Sequence, residues 1–187
     1  MKVLGISASP RVNGNSHTLL DRALCSAGQA GAKSEMISLS RLEINPCRGD
    51  DSCLADGRCR IKDDMPALIK KIDSCDRLII ASPVYFGSIT AQLKTMIDRC
   101  QQAWVKKYLL GKKACRDRRG AFICVSKYEN RNFFRNSKEI VEVLFRVLDI
   151  KLAQTLWCFG LEAGDSAANN EACLQKAYKL GRKIINL

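Results

Sequence analysis

Cys47, Cys53 and Cys59 recur at equal spacing in the stretch PCRGDDSCLADGRC, a short segment that also carries Asp50, Asp51, Asp56 and two glycines. Thiolates are soft ligands suited to iron–sulfur centres and zinc, and clustered thiols also act as oxidation switches. Residue types alone leave the three cysteines as ligands of a metal centre or as leftovers of one.

A second chemistry is written in SASPRVNGNSH, which holds Ser7, Ser9, Arg11, Asn13, Gly14, Asn15 and Ser16. Backbone N–H groups at a helix N-terminus, hydroxyls, amides and one guanidinium together suit a terminal phosphate. No GK[ST] follows and no G-x-G-x-x-G is present, so the loop is neither a Walker loop nor the dinucleotide fingerprint, and a mononucleotide phosphate remains. The bland alternative is a strand-to-helix turn at Gly14 and Asn15, capped by Ser16. The third stretch is SPVYFGS, where Pro83, Val84, Tyr85, Phe86 and Gly87 offer an apolar wall and backbone N–H groups to a conjugated ring.

These residues need a frame, and the chain alternates short apolar runs with helical patterns. KVLGIS, KSEMISL, RLIIAS, GAFICVS and KLAQTLWCFG read as strands. SHTLLDRALCSAG, DDMPALIKKIDSC, ITAQLKTMIDRCQQAW, NSKEIVEVLFRVLD and NNEACLQKAYKLGRKIIN read as helices. Ser16, Asp63 or Asp64, and Asn169 or Asn170 are the expected caps, with Pro66 in the first turn of its helix. Near-continuous apolar strands are those covered on both faces, so the expected fold is α/β: a flavodoxin-like, doubly wound, five-stranded parallel sheet in the order 2-1-3-4-5, with helices on both faces. In that order the loops after strands one and three flank the topological switch point, which brings SASPRVNGNSH and SPVYFGS together. The segment at about 41–62, which holds the three cysteines, interrupts the rhythm as a long connection.

Length and composition agree with one domain over 1–187. Absence of a charged-then-apolar leader and of any bilayer-length apolar run predicts a soluble, cytoplasmic protein without membrane contact. Several of the ten cysteines (Cys25, Cys75, Cys124, Cys158) sit in apolar, periodic segments as small hydrophobes, so reduced thiols are expected. The formal charge of +12 draws on KKYLLGKKACRDRR, with Lys106, Lys107, Lys112, Lys113, Arg116, Arg118 and Arg119. This run reads as a solvated face, or as a surface for an acidic protein or an anionic cofactor. Nucleic acid ranks last, for want of an accompanying motif. His17, the one histidine, reads as a first-turn helix residue rather than a catalytic base.

GISASPRVNGNSHTLL, SPVYFGSITAQLKTMIDR and LGRKI together resemble the phosphate loop, the ring-binding loop with its helix, and the last helix of the flavodoxin-like NADPH-dependent FMN reductase superfamily. The resemblance implies FMN held by Ser9, Arg11, Asn15, Ser16, Pro83, Val84, Tyr85, Phe86, Gly87 and Ser126. It also implies a homodimer or homotetramer and electrons passing through the flavin. The loop after strand four, SKYENRNFF, puts Lys127, Tyr128, Glu129 and Arg131 where relatives often carry a Gly-rich approach for flavin or nicotinamide.

Within that superfamily PCRGDDSCLADGRC is most similar to the iron–sulfur flavoproteins, whose four cysteines in this connection hold a [4Fe–4S] cluster near FMN. Cys47, Cys53 and Cys59 match the first, third and fourth ligands, and Asp50, a hard oxygen ligand, stands at the second. A metal-free thiol switch, zinc held with Asp50, and inherited remnants in a plain flavin reductase stay open beside the cluster. The connection leaves the carboxyl end of strand two and is expected on the rim that holds the flavin loops.

The resulting expectation is an FMN-dependent oxidoreductase or electron-transfer flavoprotein of the iron–sulfur type, taking electrons from ferredoxin or NAD(P)H. An acidic carrier such as ferredoxin would be drawn to the basic surface. The alternatives are a cluster-free NAD(P)H:FMN or quinone reductase, and a non-enzymatic redox-sensing or nucleic-acid-binding module.

Overall fold

The computed structural model describes residues 1–112, 116–161 and 166–187. The strands are β1 (Lys2–Ser7), β2 (Lys33–Ser38), β3 (Arg77–Pro83), β4 (Arg118–Val125) and β5 (Ile150–Cys158). All pair in parallel in one sheet of order β2-β1-β3-β4-β5, as the strand reading predicts. The helices are α1 (Asn15–Gln29), α2 (Met65–Ser74), α3 (Ala91–Arg99), α4 (Gln101–Trp104), α5 (Arg131–Val147) and α6 (Glu171–Ile185).

Strand side chains alternate between two cores because their period is two. Leu4, Ile6, Leu78, Ile80, Phe122 and Cys124 pack with α2, α3 and α5. Val3, Ile79, Ala81, Ala121, Ile123 and Val125 pack with α1 and α6. Each large aliphatic or aromatic side chain fully buried this way contributes about 2 kcal/mol. On the second face Gly181 lets α6 meet α1 closely: a Cβ there would lie 2.0 Å from the Ala23 carbonyl oxygen.

Helix ends match the sequence reading at α6, where Asn170 is the cap, and depart from it at α1 and α5. Ser16 lies inside α1, whose N-cap is Gly14. Asn130 caps α5 by accepting the N–H groups of Asn132 and Phe133, so that helix begins at Arg131, inside a stretch the sequence assigns to a loop. Thr90 caps α3, and Asn170 caps α6 by accepting the Cys173 N–H. The long helix expected through Trp104 breaks at Cys100, and a π-type turn, Val105–Leu109, follows α4.

The basic run stays largely at the surface, with Lys112 and Arg116 exposed and only Arg118 buried among its described cations. The buried Arg118 guanidinium donates to the carbonyls of Cys75 (3.2 Å), Leu148 (3.1 Å) and Ile72. Lys107 pairs with Asp149, Arg116 with Asp76 and Arg119 with Asp117. Lys113 lies outside the described residues. Among the cysteines, Cys75, Cys100, Cys124 and Cys158 are buried, whereas Cys25 is exposed on α1 instead of packed. Burial pushes the Cys100 and Cys124 thiols up to about 12, as inert small hydrophobes. Among the described residues no helix is long and apolar enough to cross a membrane.

Candidate functional site

The loops after β1, β3 and β4 meet around a cavity of about 160 Å³ lined by Ser9, Arg11, Ser16, Pro83, Tyr85 and Lys127, among others. The first two loops are tied directly. Ala8 N–H donates to the Ala81 carbonyl at 2.8 Å, and the Thr90 hydroxyl donates to the Ala8 carbonyl at 2.8 Å.

The α1 corner is built to receive an anion. First-turn N–H groups of a helix have no intrahelical acceptor, and no side chain closes the Gly14 cap. Ser16 is 1% exposed, and its hydroxyl has no hydrogen-bond partner; the Ser7 hydroxyl is in the same state. An unsatisfied buried hydroxyl costs about 1–3 kcal/mol, which a phosphate oxygen would relieve. Arg11 stands exposed at the edge of this corner. The residues therefore fit the phosphate end of FMN. Asn15 lines the same cavity, but its side-chain amide is spent on the far wall, donating to Ser166 Oγ (3.1 Å) and accepting Ala167 N–H (3.0 Å).

Pro83, Val84 and Tyr85 form the apolar wall. Phe86 and Gly87 do not line it. Tyr85 and Ser88 exchange backbone hydrogen bonds (2.8 and 3.1 Å) around Phe86 (φ 50°) and Gly87 (φ 77°), a tight turn with two left-handed residues that throws the Phe86 ring fully into solvent. Gly87 is required twice over, by its φ and because a Cβ would sit 3.0 Å from the Phe133 ring. Ser126 lines the opposite wall, with its hydroxyl donating to Tyr128 O (2.8 Å) and accepting Trp157 Nε1–H (3.0 Å). Trp157 stacks on Phe134 with centroids 5.1 Å apart, so this wall is rigid. Gly14 of the phosphate loop and Lys127 of the loop after β4 also line the cavity, as do Val125 and Leu161, which the sequence reading did not name; the strand-end position of Val125 was its one signal. His17 is in the first turn of α1, as expected, and outside the lining.

The cysteine connection is pinned at its neck. Glu43 N–H donates to Asp64 Oδ2 (2.8 Å), Asn45 N–H to Asp63 Oδ2 (2.9 Å), and Asp64 N–H to the Glu43 carbonyl (3.0 Å). Arg99, at the end of α3, donates from Nη1 to the Asn45 carbonyl (2.7 Å) and from Nη2 to Asp63 Oδ1 (3.1 Å), with a further Nη1 contact to Asp63 Oδ2. The two side chains of this ion pair are 0% and 2% exposed. Burial works to raise the Asp63 pKa, but the Arg99 hydrogen bond and the N–H groups of Asn45 and Met65 outweigh it and hold the carboxyl below its ordinary range.

Beyond the neck, Cys47, Cys53, Cys59 and Asp50 line one small recess with Arg99 at its back. Burial raises the Cys53 pKa, with Cys59 and Cys47 adding to it through their charge. Asp50 is exposed; its carboxylate accepts Ser52 N–H (3.1 Å), and the Ser52 hydrogen bonds keep it below the usual carboxylate range. Among the described residues no three His, Cys, Asp or Glu side chains are gathered closely enough to hold a metal ion. The soft donors and their shared recess nonetheless suit a thiolate-bound centre, which these residues would have to close around. The recess shares no lining residue with the cavity: Arg99 stands at the far end of α3 from Thr90, about 13 Å along the helix axis.

The comparisons with known proteins agree with the fold. The family described as NADPH-dependent FMN reductase matches residues 1–140. An iron–sulfur flavoprotein of Methanocaldococcus jannaschii is 46% identical over 99 residues, 53% of this chain and 51% of the relative. The chain thus spans about half the length of such curated relatives. Among solved structures, an azoreductase from Bacillus anthracis superposes with a TM-score of 0.74 at 18% identity, covering 97% of this chain and 99% of the other. An NAD(P)H:quinone oxidoreductase from Methanothermobacter marburgensis superposes at 0.70 and 18% identity, covering 98% and 96%.

Proposed function

The chain belongs to the NADPH-dependent FMN reductase family, and from that premise we propose that it is an FMN-dependent oxidoreductase of the iron–sulfur flavoprotein type. It would pass electrons between a reduced donor, an acidic ferredoxin-like carrier or NAD(P)H, and an acceptor. The observation that carries the flavin assignment is the buried, unpartnered Ser16 hydroxyl at the open N-terminus of α1, beside Arg11.

When bound, FMN supplies the redox chemistry at its isoalloxazine ring. The chain's own residues do the rest. Ser9, Arg11, Asn15 and Ser16 would hold the phosphate end, Asn15 through its backbone. Pro83, Val84 and Tyr85 would keep water from one side of the ring, while Ser126 fixes the opposite wall through its bonds to Tyr128 and Trp157. Phe86, exposed at the turn tip, would bear on a second protomer in a homodimer or homotetramer rather than on its own flavin. A thiolate centre held by Cys47, Cys53 and Cys59, with Asp50 or an outside group as fourth ligand, would supply one-electron exchange.

A second reading, a cluster-free NAD(P)H:quinone or FMN reductase, draws on the exposed ring of Tyr85 in the cavity lining, a surface on which a nicotinamide or quinone could lie. A nucleic-acid module is the weakest reading, because no recognised binding motif accompanies the basic run and Arg118 and Lys107 are tied to Leu148 and Asp149.

Anaerobic purification followed by an absorbance spectrum and FMN, iron and sulfide assays per chain tests the assignment. Flavin with iron and sulfide supports the first reading. Flavin without iron, bleached rapidly by NADPH, favours the second, and a chain that does not retain FMN overturns both.

A further inference from the structure

Arg99 is an unusual residue to bury. Its side chain is 0% exposed at the end of an otherwise amphipathic helix, and it satisfies its Nη donors on Asn45 and Asp63, one on each side of the cysteine connection's neck. Its Nε–H is buried with no hydrogen-bond partner. The same guanidinium backs the recess lined by the three thiols, and after Asp63 it is Cys59, through its charge and a weak sulfur hydrogen bond, that favours the charged form of Arg99. A charged donor left unspent in a buried position costs more than a neutral one. Such a cost persists where a negative group comes to sit against it.

We infer that Arg99 is the positioning residue of the cysteine connection: it clamps the two ends of the loop and presents its remaining positive N–H to the recess as the fixed partner of an anionic, thiolate-bound occupant. The inference rests on the reading of Cys47, Cys53 and Cys59 as a thiolate site, and it adds what that reading lacks, a counter-charge and a mechanical anchor. The planar fork matters as well as the charge, because one guanidinium reaches a carbonyl and both oxygens of a carboxylate at once. Asp63 completes the anchor, since its carboxylate also accepts the N–H groups of Asn45 and Met65.

The test compares the metal-free full chain with Arg99→Gln and Arg99→Lys. Each is alkylated under reducing conditions at one pH with iodoacetate, which is anionic, and with iodoacetamide, which is neutral, and Cys59 is followed by peptide mass spectrometry. Exposed Cys25 is the internal control. The iodoacetate-to-iodoacetamide rate ratio at Cys59 should fall about fivefold or more in Arg99→Gln, recover in Arg99→Lys, and stay constant at Cys25. A ratio at Cys59 that Arg99→Gln leaves unchanged overturns the inference. Where Arg99→Gln gives no cooperative melt, Asp63→Asn decides. It keeps the charge but weakens the clamp, so trypsin should cut at Arg48, Arg58 and Arg60 about tenfold faster, and an unchanged rate overturns the inference. Anaerobic incubation with ferrous iron and sulfide tests the underlying reading separately. Wild-type protein that takes up no iron, yet shows the charge-dependent alkylation, removes the cluster and leaves the role of Arg99 standing.

Discussion

Thr90 and Arg99 occupy the two ends of one nine-residue helix, and each end grips a different loop. The Thr90 hydroxyl holds the Ala8 carbonyl of the phosphate loop, while the Arg99 guanidinium holds the Asn45 carbonyl and Asp63 at the neck of the cysteine loop. Helix α3, packed into the core through Leu93 and Met96, is therefore a rigid spacer between the flavin cavity and the thiol recess. It sets their separation at about 13 Å along its axis.

Ser16→Ala separates binding from folding by the sign of its effect. The hydroxyl is buried and unpartnered without ligand, so its removal should leave the apoprotein as stable or up to about 1 kcal/mol more stable. FMN affinity should fall about tenfold, and Arg11→Ala in addition should weaken it further. Thermal melts of the apoprotein and a fluorescence titration with FMN give both numbers. An affinity unchanged in the double variant would place the phosphate elsewhere.

The strand order and the meeting of the loops after β1 and β3 were legible because β3 and β4 are almost continuously apolar and because SASPRVNGNSH and SPVYFGS sit at strand ends, where parallel topology must bring them together. Side-chain aim was not legible. Asn15 turns its amide to Ser166 and Ala167, which is decided by a loop more than 150 residues away. Phe86 leaves the wall because a two-residue turn forces it out. Arg99 is buried at spacing three from Met96 and Leu93, a period that favours the core, whereas its charge marks it for water, so residue type and periodicity give opposite answers there.

Asp63→Asn should cost about 3 kcal/mol at neutral pH, because it leaves Arg99 buried without its charge partner. The Asp63 pKa is depressed below its ordinary 3.8 in the folded chain. Its contribution is therefore complete above the unfolded-state value and is lost as pH falls through the folded-state value. Urea unfolding of both proteins should show a constant gap from pH 7 to pH 5 and a narrowing one below about pH 4. A gap that widens on acidification would contradict the ion pair.

Reduction by an acidic carrier should slow as salt rises, because the Debye length shrinks from about 8 Å at physiological ionic strength to about 3 Å at 1 M. The cations left for steering include Lys106, which packs against Gly57 of the cysteine loop, and the exposed Lys112. Lys106→Gln with Lys112→Gln should flatten the salt dependence and lower the association rate severalfold with the flavin spectrum unchanged. Stopped-flow mixing at several ionic strengths measures it, and a salt-independent rate in the wild type would remove electrostatic steering.

Asp50→Cys tests the thiol recess at the position where a soft ligand is missing. Asp50 is exposed, its one backbone bond is local to Ser52, and it takes no part in the Arg99 clamp. The substitution should therefore leave the melting temperature of the chain essentially that of wild type. It replaces a hard carboxylate with a thiolate beside Cys47, Cys53 and Cys59, so iron and sulfide retained after anaerobic reconstitution and gel filtration should rise, with stronger absorbance near the visible charge-transfer region. Equal iron content in the two proteins would mean that position 50 does not face the centre, and iron absent from both would leave the cluster-free reductase as the working assignment.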